Sequence, residues 1–340
     1  MNTPTGKGIF IWKSKYCETG ELDDIVQACG SLGLKWVAIK IGDGANSGYA
    51  SFVDMAAAVA AFLAAGMAVW GWHYVRGGIW IDKNGAIHTD AASPEDEAGF
   101  ARSTCATLGL DGYIIDAERE YKIGPDPKAR ARQFMAALMG INVPIALCSY
   151  RFPALHPELP WYDFLDGCDL VMPQDYWGPG GATSELERSL QQYRVNAQCE
   201  LPTVPVGRAY IGDGHPDPKP EEIMAFMGKA QALGCPGCSF WALDFLYLHT
   251  GGPGRGEAIA RYTWDETPAP IEQGIMMKVV AEAMNVRSGP GTSYPVVGSL
   301  KRGMTVEVRD VGGYNCWVEI SPGRWAAVSV NWKRYMEVET

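Results

Sequence analysis

No stretch of this 340-residue chain reaches the ~20 consecutive apolar residues that cross a bilayer. The nearest, "MAAAVAAFLAAGMAVWGW" (55–72), is rich in alanine and broken by glycine, and reads as a buried helix followed by a strand. A membrane partner is therefore not expected. Residues 1–7 are polar and lead into no apolar signal core, so a secretory signal is not expected here. Excess positive charge is also missing. The formal net charge is −10, and residues 275–340 hold 8 Lys/Arg against 6 Asp/Glu, so the acidity lies in the remainder. An acidic body argues against nucleic acid as partner and suits a neutral polymer better. Cys235 and Cys238 form "CPGC", but no second such pair or neighbouring His pair completes a zinc site. Nine cysteines cannot all pair within one chain, and free buried thiols are the simpler reading. No glycine-rich phosphate turn follows any strand, which argues against an open doubly wound sheet as the alternative fold.

What is present is alternation. "GIFIWKS" (8–14), "KWVAIKI" (35–41), "MAVWGWHYV" (67–75), "GYIIDAE" (112–118), "PIALCSY" (144–150), "DLVMPQDYW" (169–177), "PTVPVGRAY" (202–210) and "GCSFWALDF" (237–245) all read as strands. Each precedes a helical pattern, with an insertion around 78–90 after the third. Eight strand-then-helix units in about 260 residues predict a (β/α)₈ barrel of the TIM type over 1–264. The proline- and acid-bearing segment "DETPAPIEQG" (265–274) reads as a linker. Beyond it, short strands and glycine turns predict a small all-β SH3-like barrel over 275–340.

The stretch "GYIIDAERE" (112–120) carries the chemistry. An apolar strand ends in Asp116 and Glu118, two apart and so on one face. The C-terminal end of a barrel strand is where active sites of this architecture lie. Two neighbouring carboxyls, partly buried, titrate apart, one staying protonated as a general acid while the other stays ionised. Glycosidic bond cleavage needs that division. Glu120, flanked by Arg119 and Lys122, reads instead as part of a solvated charge cluster.

Two resemblances follow. "MNVRSGPGTSYPVVGSLKRGMTVEV", opening on Asn285-Val286-Arg287-Ser288-Gly289-Pro290 and continuing through Gly298, Leu300 and Gly303, closely resembles the bacterial SH3 domain. That resemblance implies attachment to cell-wall peptide or glycan, with Tyr294, Tyr314, Trp317 and Trp325 as candidate contacts. The barrel resembles family 25 glycoside hydrolases, the muramidases. "WVAIKIGDG" matches the second strand with Lys40 and Asp43-Gly44, "GWHYVRG" a Tyr-His-Phe-Ala-Arg segment through His73, Tyr74 and Arg76, and "IIDAE" the Asp-x-Glu pair. Phe10 stands where that family carries a first-strand acid. "MPQDYW" and "FWALDF" are closer in style to family 18 chitinases. The shared implication is hydrolysis of a sugar bearing an N-acetyl group.

Sugar sites combine flat aromatics with amides and charges. Strand ends supply Trp12, Trp72, Tyr74, Tyr150, Tyr176, Trp177 and Trp241. Lys40 and Arg76 sit in apolar strands and need a carboxylate partner, Asp116 or another barrel acid. Gln174, Asp175 and Asp244 end the sixth and eighth strands and join the substrate-binding candidates. His73 reads as a core histidine and Asp43 as turn chemistry. The expected function is a monomeric peptidoglycan hydrolase acting at the cell wall with Glu118 and Asp116 catalytic, and release of a phage-encoded lysin by cell lysis is one route there. A non-catalytic carbohydrate-binding barrel and a hydrolase of another N-acetylated glycan are the alternatives. No metal or cofactor is implied.

Overall fold

Side chains alternate along the first strand, Gly6–Ile11, with Phe10 pointing to one side and Ile9 and Ile11 to the other. Both sides are buried, which is what a strand covered by helices on one face and by its own barrel on the other requires. The computed structural model describes residues 3–212, 214, 217–248, 254–264, 276–289, 292, 294–307, 310–312, 317–321, 324–330 and 333–338. The chain divides into two compact units, 1–265 and 266–340. The expected linker, 265–274, lies outside the described residues.

In the first unit eight parallel strands close into a barrel. They are Gly6–Ile11, Trp36–Asp43, Ala68–Val75, Gly112–Ala117, Ile145–Tyr150, Leu170–Asp175, Val206–Arg208 and Gly237–Trp241. The first pairs with the eighth through Gly6 with Gly237 and Ile9 with Phe240, which closes the ring. The seventh and eighth strands fall furthest short of the sequence pattern. The seventh begins only at Val206, because Pro202 and Pro205 have no N–H to give the ladder. The eighth ends at Trp241, and Asp244, expected at its end, lies in the helix Leu243–Leu248. The insertion after the third strand forms a hairpin, Trp80–Ile81 with Ile87–His88.

Large residues fill the barrel interior: Phe10, Trp36, Trp70, Trp72, Ile114, Leu170, Met172 and Val206. Two of these indoles fit only because a neighbouring strand offers glycine. A Cβ on Gly8 would stand 2.1 Å from the Trp36 ring, and one on Gly112 2.3 Å from the Trp70 ring. A larger core lies between the strands' outer faces and the helices, where Ile9, Val37, Ile39, Val69, Tyr113 and Ile115 meet Phe62, Phe134 and Phe164. Helix starts are written locally. Ser93 and Asp96 close a capping box around Pro94, and Asp54 accepts from the Ala57 N–H.

The second unit is antiparallel. A five-stranded sheet runs in the order Val296–Lys301, Ala283–Arg287, Arg324–Ala327, Trp317–Ser321, Asp310–Gly312, and a three-stranded sheet pairs Met276–Val279 with Thr305–Glu307 and Met336–Val338. Met277, Val279, Met284, Val286, Leu300 and Ala326 form its core. Tyr294 is exposed, and Trp325 packs half-buried on that core. Tyr314 and the Trp317 side chain lie outside the described residues.

Candidate active site

A cleft of about 1020 Å³ opens at the C-terminal ends of the barrel strands. Asp116 enters it from the fourth strand, where it pairs in register with Tyr74 of the third and Cys148 of the fifth. The strand stops at Ala117. Glu118 leaves the ladder with φ −132 and ψ −131 and opens a 3-10 turn, Arg119–Lys122. Glu118 is therefore not a strand residue, and the departure of the chain is what turns its carboxyl back over the mouth beside Asp116. Gln174, from the sixth strand, reaches across. Its amide nitrogen lies 3.1 Å from Asp116 Oδ1 and 2.8 Å from Glu118 Oε1.

Burial is the main cause pushing the Asp116 carboxyl well above the ordinary carboxylate range, and the neighbouring Glu118 charge adds to it. Burial raises Glu118 as well, opposed by the hydrogen bond from Gln174. Both carboxyls are thus pushed toward the protonated form while sharing one amide donor. The arrangement can both donate a proton and accept one.

A second group of charges lies toward the second and third strands. Lys40 Nζ is 3.2 Å from Asp43 Oδ2, and Arg76 Nε donates to Asp43 Oδ1 at 2.6 Å. Arg76 continues to Glu120 Oε1 at 3.3 Å, and the Tyr74 hydroxyl donates to Glu120 Oε2 at 2.6 Å. Lys40 and Arg76 thus take Asp43 as their carboxylate, rather than Asp116. Burial lowers the Lys40 pKa, and Asp43 partly restores it. Glu120 is buried within the cleft wall, so its reading as part of a solvated cluster is corrected. Beneath this group the Glu97 carboxyl accepts from the backbone N–H groups of Arg76 and Gly77 at 3.0–3.1 Å.

Aromatic surfaces complete the cleft. Trp72 and Trp241 meet edge to face at 5.2 Å, with Phe10 beneath them at 6.2 and 5.7 Å. Trp12 lies 6.2 Å from Trp241. Lys40 Nζ sits 4.8 Å above the Trp72 ring. On the far wall Tyr150 stacks on His156 at 3.8 Å, and Tyr176 meets Tyr210 edge-on at 5.6 Å.

Of the residues singled out from sequence, Lys40, Trp72, Tyr74, Arg76, Asp116, Glu118, Tyr150, Gln174, Tyr176 and Trp241 all line this cleft. Asp175 does not. Strand alternation turns it away from the barrel mouth, and it is buried toward Ser189 of the helix Ala182–Val195. Asp244 is also outside. Its carboxylate accepts from the Trp12 backbone N–H at 3.3 Å, and burial raises its pKa to about 6. It holds the segment that carries Trp12. Trp177 is a core residue stacked on Phe226 at 5.2 Å. His73 is likewise internal, bonded to the Tyr113 hydroxyl and the Gly44 carbonyl, and burial lowers its pKa to about 4. Sequence reasoning missed Glu120, His156 and Tyr210 as lining residues and read Asp43 only as a turn. Among the described residues no cluster of His, Cys, Asp and Glu is arranged to hold a metal ion. Cys235 and Cys238 are buried free thiols.

The first unit has a barrel fold that solved glycoside hydrolases share. It superimposes on a chitinase from Bacteroides thetaiotaomicron with a TM-score of 0.57 and 10% identity, covering 78% of this chain and 98% of that one. The spore cortex-lytic enzyme SleL of Bacillus cereus gives 0.54 at 10% identity, covering 77% and 76%. A GH113 β-1,4-mannanase gives 0.53 at 12% identity, covering 76% and 97%. At such identities the likeness is one of fold. The family model for the bacterial SH3 domain matches residues 282–326. A search of curated protein sequences gives no match to the chain.

Proposed function

We propose that the barrel is a glycoside hydrolase acting on N-acetylated glycan of the bacterial cell wall, with peptidoglycan as the substrate and the SH3 unit as its tether. The observation that carries this reading is the pair of buried Asp116 and half-buried Glu118, bridged by one amide at the mouth of an aromatic-lined cleft. Fold kinship with chitinases and a cortex-lytic enzyme agrees with this chemistry without carrying it.

Glu118 delivers its proton to the glycosidic oxygen as the bond to the anomeric carbon breaks. The nucleophile is the carbonyl oxygen of the sugar's own acetamido group, which closes a ring onto the anomeric carbon. Asp116, ionised at that moment, accepts the acetamide N–H and stabilises the positive charge of that ring. Water then attacks the anomeric carbon, giving its proton back to Glu118, with net retention. Two features favour this route. Inverting pairs stand ~6.5–9.5 Å apart to admit a water, whereas here both carboxyls reach a single nitrogen. The floor position that would offer a first-strand acid holds Phe10. Trp72 and Trp241 supply the flat surfaces against which a sugar ring packs.

Phe10 also favours a second reading, a barrel that binds wall glycan without cutting it. Incubating the full chain with purified bacterial walls distinguishes the two. Falling turbidity with new reducing ends supports hydrolysis. Pull-down on walls without new reducing ends supports binding alone. The SH3 unit contributes effective concentration on an insoluble substrate.

A further inference from the structure

Gln174 stands at the cleft end of the sixth strand, and among the described residues it alone donates to both carboxyls. A primary amide nitrogen carries two hydrogens and does not accept, so each hydrogen serves one carboxyl. Its remaining polar contact is with Cys148 Sγ at 3.9 Å. We propose that Gln174 is a positioning residue that holds the Asp116–Glu118 pair at a single proton, by donating to one oxygen of each carboxyl at once. The proposal rests on the hydrolase reading above for its catalytic consequence, but not for its physical content.

Burial favours a proton on each carboxyl, and a doubly protonated pair could not act, because Asp116 would have no charge with which to accept the acetamide N–H. A donor facing both oxygens favours the state with one negative charge shared across the pair. A side-chain hydrogen bond between the two carboxyls favours the same state, raising Asp116 and lowering Glu118. Lys40 of the second strand and Lys122 of the turn favour charge on the pair, whereas Asp43 and Glu120 oppose it. Tyr74, Cys148 and Tyr150 face the pair from the third and fifth strands and Tyr176 from just beyond the sixth, and burial keeps all four neutral. Charges of both signs therefore face the pair, with Arg76, Arg119 and Arg151 also lining the cleft, and the amide is the neutral group that donates to both carboxyls at once.

The test has two arms. In the first, kcat/KM for a soluble N-acetylated oligosaccharide is followed against pH in wild type and in Gln174→Met, which keeps the length and loses both hydrogens. The acidic limb moves up by about one unit, a tenfold loss at a fixed pH on that limb. A higher KM at every pH with an unmoved limb would make Gln174 an ordinary sugar contact and overturn the proposal. The second arm needs neither activity nor a folded variant. In wild-type protein labelled with ¹⁵N-glutamine, both side-chain amide protons of Gln174 should shift together where the pair gains or loses its proton, and hold steady at the pH of activity between those steps. Amide protons that titrate separately, or a step that crosses the pH of activity, would overturn it. If the amide titrates but walls are not cut, Gln174 keeps its role and the hydrolase reading fails.

Discussion

Replacing Glu118 by Gln removes one proton donor and almost nothing else. Glu118 lies outside the strand ladder and caps no helix with its side chain. Its side-chain carboxyl accepts from Gln174 at 2.8 Å, and the carbonyl oxygen of a new amide can accept that same bond. The fold and the aromatic surfaces of the cleft are therefore retained, as is glycan binding. Catalysis is not, because an amide has no proton to release at useful acidity. Loss of a general acid costs ~10²–10⁴ in rate, or about 2.7–5.4 kcal/mol at 1.36 kcal/mol per tenfold. The effect belongs in kcat, since the proton moves only as the bond breaks. The assay is reducing-end release from a soluble N-acetylated oligosaccharide, with binding of the same ligand followed by calorimetry. Binding within about threefold of wild type, with turnover down at least a hundredfold, is the expected pair of results. Turnover close to wild type in a folded Glu118→Gln protein would remove Glu118 from the acid's place. Loss of binding and turnover together would mean that the side chain shapes the cleft instead.

Asp116→Asn lowers kcat while the folded state survives; its melting temperature should gain on wild type as pH rises, because the variant escapes the cost of ionising a buried carboxyl whose pKa lies well above normal. A cooperative loss of fold would instead mark Asp116 as a structural ion partner. Glu97→Gln loses acceptor capacity under the Arg76 and Gly77 N–H groups and should cost ~1–3 kcal/mol near pH 5 by denaturant titration. Burial raises Glu97 to about 8, so the wild type itself loses stability as pH climbs from the unfolded value through 8, and the gap between the two proteins narrows over that window; a gap constant with pH would contradict the assignment. Gly112→Ala drives a methyl into the Trp70 ring inside a closed barrel and should destabilise by ~1–3 kcal/mol, read from the shift in denaturant midpoint.

The barrel was legible because its strands carry the signal twice. Each is apolar on both faces, and each is followed by a helix pattern, so the count of eight survived errors at the ends. Those errors share a physical origin. At the seventh strand, prolines withhold N–H groups that the pattern of apolar residues does not register. At the eighth, "ALDF" continues an apolar run that the chain uses as the first turn of a helix. The cost of the second error was Asp244, placed at a strand end when it instead anchors Trp12 from outside the cleft.

The proposed acid pair stands out in the sequence, whereas the network beside it does not. Asp116 follows Ile114 and Ile115, and an acid at the end of such a run is anomalous in the chain itself. Glu120 follows Arg119 and precedes Lys122 by two positions, and nothing local distinguishes it from a solvated turn. Its burial is decided by the third strand, more than forty residues away, which brings the Tyr74 hydroxyl and the Arg76 guanidinium onto its carboxylate. Asp43 has the same character, since its turn is ordinary until Lys40 and Arg76 converge on it. Tertiary pairing satisfies each charge, so the information lies in register between strands. The third and fourth strands align Tyr74 with Asp116. That single register sets the acid pair and the ion network side by side, and a slip of one residue would turn both away from the cleft.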